Sequence, residues 1–406
     1  MFKSREDFIS QLGTASMPVE FGMNFAAVMD EFDTYGVPFL TDAYIDALQM
    51  EFALFPNKFD FVKNEAMRIR EDGLLSRYTL LLKHMLKDKD PQKLLILEDE
   101  PTSDDISRKI DLEMAGLFAE LAYVPDMVKE FRSRGVPEYI IRDTLRCFEV
   151  GILVCNGCFD RDGYEINRSF MWNQHYIAGR IINIGVLCFE IKKMFTDIVR
   201  IFTNSRGEYR ILSNGQRIST GGLIAGSMNC TEEQFVAAFQ ETDDGYEGFE
   251  VDTVNTCVTD RTVFLSKQEW FPAITESDHV INVHIPDSGC FTKEAIAASY
   301  AEAKAFFESC YPEFRPKAFT CESWLMDPKI KELLGENSNI VGFQSKYMRF
   351  PKLSNGNACF KFLFRKPFVS YEAFPATTSL QRKVKDLYLA GGCIYDPCGI
   401  FFFNQM

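Results

Sequence analysis

Residues 279–326 read HVINVHIPDSGCFTKEAIAASYAEAKAFFESCYPEFRPKAFTCESWLM, and the reading of this stretch sets the fold. Residues 280–285 are an apolar, β-branched run stopped by Pro286, the composition of a buried strand. Asp287, Ser288 and Gly289 make a turn. Thr292 stands where a helix N-cap belongs, and Ile296, Tyr300, Ala303 and Phe307 recur behind it at helical spacing. Pro312 closes that helix, and residues 317–325 return to an extended pattern. A strand, a helix and a second strand at this length predict a right-handed crossover between parallel neighbours. The turn carries the chemical interest. Backbone N–H groups at Gly289, Cys290, Phe291 and Thr292, placed at a helix N-terminus, would favour a phosphate. The same turn would serve equally well as a plain connection.

Outward from this unit, a chain of 406 residues suggests two domains. The apolar content of 46% suffices for a core, and 58 acidic against 44 basic residues leave a net charge of −14. Nucleic acid and anionic membrane surfaces demand a basic face, so neither is an expected partner. No apolar run approaches a membrane span, and MFKSREDFIS at residues 1–10 lacks a signal-peptide core. The twelve cysteines sit inside apolar segments without a framework of spacings, which points to reduced thiols in a cytoplasmic protein.

Residues 1 to about 150 read as helical, with apolar residues at helical spacing over 42–52, 73–85 and 106–122. Thr102 and Ser103 suit an N-cap, and Pro137 suits the first turn of a helix over 138–148. The turn-rich stretch NGCFDRDG at 156–163 is the expected boundary, giving a helical domain over 1–155 and a mixed one over 156–406. Strands are expected at 179–192, 197–204, 208–213 and 248–262, with a hairpin at Asn214–Gly215. TEEQFVAAFQ at 231–240 has the capping-box pattern of a short helix. Helices are expected at 329–334 and 379–389, and extended segments at 340–350 and 359–368.

Metal chemistry has little support. Cys155 and Cys158 have the spacing of half a zinc site or of a redox dithiol, but no second pair accompanies them, so no metal is expected. There is no GxSxG elbow and no Walker-type phosphate loop. Cys321 and His284, on the two strands of the central unit, would suit a cysteine-dependent hydrolase, though without a third orienting group.

Six segments carry a family resemblance: RGVPEYIIRDTLRCF (134–148), AGRIINIGVLCFE (178–190), VINVHIPDSGCFTKEAIAASYAEAKAFF (280–307), KAFTCESWLMDPKIKELL (317–334), SNIVGFQ (338–344) and TTSLQRKVKDLYLAGG (377–392). In these the chain resembles bacterial acyltransferase-domain proteins, with a helical N-acyltransferase N-terminal domain and a GNAT-like C-terminal domain. The implied fold class is α+β or α/β: a helical N-terminal domain, then a GNAT-like mixed sheet with splayed parallel central strands. The implied activity moves an acyl group from acyl-CoA, acetyl or longer, to an amine or hydroxyl of a small-molecule acceptor. Acyl-CoA would enter the splay between the strands at 280–285 and 317–325, its pyrophosphate over residues 289–292.

Direct transfer needs a donor for the thioester oxygen and a base for the attacking group. A backbone N–H at His284 or Ile285 would supply the donor. His284 and Glu322 are the candidate bases, and Tyr347 is the candidate acid for the departing thiolate. Ile285, Gly289, Cys290, Phe291, Thr292 and Ser323 are the residues assigned to acyl-CoA. Two departures from the family pattern stand out. The turn reads PDSGCFT where GNAT proteins carry R/Q-x-x-G-x-G/A, and Glu322 occupies a position where relatives carry His. They keep open an alternative, a non-catalytic binding or scaffold protein on the same fold.

Overall fold

The computed structural model describes residues 5–13, 19–86, 106–194, 197–286, 290–366 and 368–405. The chain divides into two compact units, Met1–Asn183 and Ile184–Met406.

Among the described residues the first unit is built of α1 (Arg5–Leu12), α2 (Val19–Tyr35), α3 (Asp42–Phe52), α4 (Phe59–Glu71), α5 (Gly73–Met85), α6 (Ile106–Leu121), α7 (Val124–Ser133), α8 (Glu138–Leu145), α9 (Cys147–Phe159) and α10 (Met171–Ile177). Local chemistry sets several of these ends. Thr41 caps α3, and Asp72 Oδ1 accepts from the Leu74 and Leu75 N–H groups at the start of α5. The helix expected over 138–148 breaks at Arg146 into α8 and α9, and the cap expected at Thr102 and Ser103 lies outside the described residues. The NGCFDRDG turn is not where the units part. Its first half completes α9, which ends at Asp160 in a left-handed conformation, and Cys155, Tyr164 and Phe170 around it are buried within the helical unit. That core also holds a polar chain. Asn173 Nδ2 donates to the Tyr164 hydroxyl at 2.6 Å, which donates to Glu120 Oε2 at 2.5 Å.

The strands are β1 (Ile181–Ile184), β2 (Leu187–Lys193), β3 (Val199–Asn204), β4 (Tyr209–Ser213), β5 (Gln216–Ser219), β6 (Glu233–Ala237), β7 (Phe239–Glu241), β8 (Gly245–Asp252), β9 (Cys257–Ser266), β10 (Trp270–Ile274), β11 (His279–His284), β12 (Pro316–Glu322), β13 (Met348–Phe350) and β14 (Cys398–Phe402). The principal sheet has the order β1-β2-β11-β12-β14-β13, and β11 and β12 are parallel neighbours. They are joined by α11 (Lys293–Cys310), whose N-cap Thr292 accepts the Ala295 N–H. Ile296, Tyr300, Ala303 and Phe307 are all buried on its inner face. Tyr300 meets Phe189, Phe319 and Phe401 of the sheet edge-on, at ring separations of 6.1, 4.8 and 5.8 Å. The opposite face of the sheet, with Val280, Ala318, Ile400 and Phe402, packs on Val199, Ile201, Ile211, Val258 and Ile274. Those come from the second sheet, ordered β10-β3-β4-β8-β7 with β9 on β8.

The remaining differences from expectation have tertiary causes. The segment 179–192 is two strands, not one. Gly185, at φ +62, turns the chain between β1 and β2, and a Cβ there would lie 2.3 Å from Ser299 Oγ. Asn214–Gly215 does not close a hairpin, because β4 pairs with β3 and β8 while β5 pairs with β6. TEEQFVAAFQ forms β6 and β7 rather than a helix, since pairing of Ile218 with Phe235 overrides the local cap. Of the expected extended segment 340–350, the first part is a helix, α13 (Asn339–Gln344), capped by Ser338 and preceded by α12 (Lys329–Leu334), and only Met348–Phe350 is extended, as β13. Phe360–Phe364 is a π-helical turn instead of a strand, and the helix expected at 379–389 is α14 (Ser379–Leu389). β12 stops at Glu322, where Ser323 caps a 3-10 turn and leaves Leu325 outside the strand. Buried β14, which the sequence reading does not contain, completes the sheet beside β12.

Candidate active site

The two central strands part before they end. Their pairing runs Val280↔Ala318, Ile281↔Phe319 and Asn282↔Thr320, and then stops. Beyond it β11 continues to His284, still paired with Cys188 of β2, and β12 continues to Glu322, still paired with Cys398 of β14. Within a strand, successive residues turn their N–H and C=O to alternate sides. One of Val283 and His284 therefore presents its backbone groups into the opening.

A polar row crosses the sheet at the last rung. Glu190 of β2 pairs with Asn282, and Asn282 pairs with Thr320. Thr320 Oγ1 donates to Asn282 Oδ1 at 3.2 Å, and Asn282 Nδ2 donates to Glu190 Oε2 at 3.0 Å. His284 Nε2 meets the same Glu190 oxygen at 2.9 Å. Asn282 and Thr320 are 4% and 1% exposed. Burial opposes ionisation of Glu190, but the hydrogen bond and charge of His284 overcome it and hold the carboxyl down to about 2. Strand alternation puts His284 with Asn282, and Glu322 with Thr320, on the face that meets the second sheet.

Glu322 stands at the other lip of the opening, half-exposed and ion-paired with Lys352. Ser354 and Asp396 lie beyond, with Ser354 Oγ donating to Asp396 Oδ2 at 2.7 Å. Tyr347 is buried on the α11 face, where its hydroxyl shares a 2.5 Å hydrogen bond with Tyr300. Burial and the neighbouring Tyr300 push the Tyr347 phenol well above its ordinary range, so it keeps its proton. Cys321 is buried on that same face, its thiol raised by burial and away from the His284 side of the sheet. The strands therefore do not form a Cys321–His284 pair, and the hydrolase reading has no geometric support.

Of the residues assigned to acyl-CoA, Ile285 follows β11 directly and Ser323 Oγ accepts the Leu325 N–H. Cys290 is exposed, and the Phe291 ring lies 5.6 Å from Phe343. Gly289, with Asp287 and Ser288, lies outside the described residues. Among the described residues, no three of His, Cys, Asp or Glu are grouped to hold a metal, and no helix is long and apolar enough to cross a membrane. Cys155 is raised to about 12, chiefly by burial. The sequence reading missed Glu190, Asn282 and Thr320. Their signal was present as polar side chains inside the apolar runs GVLCFEIK and VINVH, where only a partner justifies burial.

Residues 181–401 match the family model described as the GNAT-like C-terminal domain. No curated protein matches the chain. Among solved structures, an acyltransferase in complex with decanoyl-CoA and teicoplanin aligns with a TM-score of 0.61 at 16% identity, over 98% of each chain. An acyltransferase in complex with decanoyl-CoA, and one in complex with CoA and 10C-teicoplanin, each align at 0.59 and 15% identity, again over 98% of both chains. At these identities the likeness is one of fold.

Proposed function

Since the chain belongs to the family defined by the GNAT-like C-terminal domain, we propose that it transfers an acyl group directly from acyl-CoA to an amine or hydroxyl of a small-molecule acceptor. The observation that carries this reading is the early end of pairing at Asn282 and Thr320, with His284 and Glu322 on one face just beyond it. A thioester set in that opening would find a backbone N–H of the parted strand, at His284 or Ile285, as donor to its carbonyl oxygen.

The chemistry follows from that placement. The acceptor nitrogen or oxygen attacks the thioester carbon, and the proton it sheds goes to His284. The carbon–sulfur bond breaks, and CoA leaves as a thiolate that takes its proton from solvent. Tyr347, the candidate acid, is buried on the α11 face, bonded to Tyr300 and held above its ordinary range, which weakens it as a donor. Glu322 serves as the second candidate base, its carboxylate held by Lys352 at the far lip. The CoA phosphates would rest on the backbone of Gly289, Cys290, Phe291 and Thr292, where α11 begins, with Ile285 and Ser323 at the two strand ends.

Two of the structural neighbours held decanoyl-CoA, one of them with teicoplanin, and a third held CoA with 10C-teicoplanin. These favour a chain longer than acetyl and a soluble small-molecule acceptor here. All twelve cysteines are free, which supports a reducing, cytoplasmic setting. The second reading is a non-catalytic scaffold, favoured by the sequence PDSGCFT, which has an acidic residue, Asp287, where the family carries its glycine-rich loop. Thermal-shift titration with acetyl-, octanoyl- and decanoyl-CoA separates the two. A ligand at a hundred times its Kd adds about 2.7 kcal/mol. A shift with at least one acyl-CoA is the expected result, and none with any of them would leave the scaffold.

A further inference from the structure

A base that works through an imidazole must present one defined nitrogen, and the polar row of the principal sheet decides which. Glu190 Oε2 lies 2.9 Å from His284 Nε2, and Asn282 Nδ2 lies 3.2 Å from the same ring nitrogen. The orientation of the Asn282 amide is fixed from behind, because Thr320 Oγ1 donates to its Oδ1. Its nitrogen therefore faces Glu190 and His284 as a donor only.

We infer that Glu190 is a positioning residue for His284: it accepts the Nε2–H, so that Nδ1 carries the lone pair and takes the acceptor's proton.

The alternative tautomer fails on charge. Were Nε2 the bare nitrogen, its lone pair would point at a carboxylate oxygen 2.9 Å away, with no proton between them. One Asn282 N–H goes to Glu190 Oε2 at 3.0 Å; its second could reach a bare Nε2 at 3.2 Å, but that neutral contact would not offset the lone pair set against the carboxylate. Two donors then converge on one anionic oxygen, a charge-assisted arrangement inside a largely buried site. When Nδ1 takes a proton, the imidazolium that forms already sits against the carboxylate, and no second proton moves. Glu190 remains an acceptor throughout, since the hydrogen bonds from His284 and Asn282 hold its carboxyl low before the ring is charged and the imidazolium holds it lower afterwards. Among the described residues, the strand neighbours of this pair are as follows. On β2, Lys192 and Cys188 share its face by alternation, and Cys188 is the strand partner of His284. On β12 the neighbours are Thr320 and, at the far lip, Glu322 with Lys352.

The destination of the proton rests on the acyl-transfer reading, whereas the tautomer does not, and two measurements keep them apart. The first is nitrogen-15 NMR of the whole chain labelled at histidine, with His284 identified among the four histidines by its loss in His284→Gln. The expected result is an Nε2–H tautomer with a far-downfield, slowly exchanging Nε2 proton that disappears in Glu190→Ala. An Nδ1–H tautomer in the unaltered protein, or a downfield proton that survives Glu190→Ala, overturns the inference whether or not acyl transfer is found. The second is kinetics with decanoyl-CoA and teicoplanin as probes. Glu190→Gln keeps an acceptor oxygen but removes the charge. It should lower kcat tenfold or more, leave KM for decanoyl-CoA within twofold, and move the acidic limb of the pH profile to lower pH, with Glu190→Asp recovering part of the rate. An unchanged kcat and profile in Glu190→Gln would count against the positioning role. Absence of transfer with a positive NMR result would instead remove the acyl-transfer reading and leave the pair intact.

Discussion

Thr320 and Asn282 are joined side chain to side chain, 3.2 Å apart, on the last rung that the two parallel strands share. The pair lies almost wholly out of solvent on the face that packs on the second sheet, among Val280, Ala318 and Ile400. Polar groups in such a place are costly unless each finds a partner. Here the partners run in sequence from Thr320 through Asn282 to Glu190 and His284, so burial of the first two orders the last two.

Thr320→Val tests that coupling. The substitution keeps the shape of the side chain and removes its hydroxyl donor, leaving Asn282 Oδ1 in an apolar setting. Chemical denaturation should show a loss of about 1–2 kcal/mol. The amide of Asn282 would also be released to turn, so turnover should fall severalfold with acyl-CoA affinity unchanged. Unaltered stability and turnover would mean that the row is incidental.

In the helical unit, Glu120 makes the opposite electrostatic case. Burial raises its carboxyl well above the ordinary range, only partly countered by the hydrogen bond from Tyr164. Folded Glu120 thus keeps a proton that the unfolded chain releases above about pH 4.3. The unfolded state then binds fewer protons, so this residue's contribution is full below that pH and declines as pH rises. Glu120→Gln retains an acceptor for Tyr164 and removes the titration. Its Tm, followed by helical circular dichroism, should exceed that of the unaltered protein by about 3 °C at pH 8. The margin should close toward pH 4. A margin independent of pH would refute the assignment.

The legibility of this chain divides along physical lines. The crossover at 279–326 was readable because three local signals agree: a β-branched run, a Thr292 cap and an apolar stripe from Ile296 to Phe307. Helices over 42–52 and 73–85 were readable for the same reason. Residues 231–240 were not, because their strand state depends on β5, a partner that local pattern does not name. Nor was β14, whose Cys398–Phe402 is buried throughout and so shows no alternation. The site followed the same rule. His284 was visible from its own chemistry and its place at a strand end. Glu190 lies 94 positions away in sequence and becomes part of the site only through the register of β2 on β11.

Backbone rather than side-chain donors should hold the CoA phosphates, and Cys290 offers a clean comparison. It is exposed, so Cys290→Ala should leave affinity within twofold. Cys290→Pro removes the N–H at the same position and should weaken binding of decanoyl-CoA about tenfold, the loss of one charge-assisted hydrogen bond. Calorimetry on both variants decides it. Equal affinities would place the phosphates elsewhere.

His284 and Glu322 stand on opposite lips of the same opening, and their variants should differ in kind. His284→Ala removes the proposed base and the partner of Glu190, so turnover should fall well beyond tenfold, the range of general-base contributions being about 100- to 10,000-fold. Acyl-CoA affinity by calorimetry should stay nearly intact, because the proposed phosphate donors are backbone groups and not the His284 side chain. Glu322→Gln leaves that base in place and frees Lys352, whose ammonium is then the only charge of the former pair. The variant should lower turnover less than tenfold and act mainly through KM for the acceptor, since an unopposed cation at the lip repels an incoming ammonium. Full turnover in His284→Ala together with a deep loss in Glu322→Gln would exchange the two roles, and the proton would then leave through the carboxylate at the end of β12.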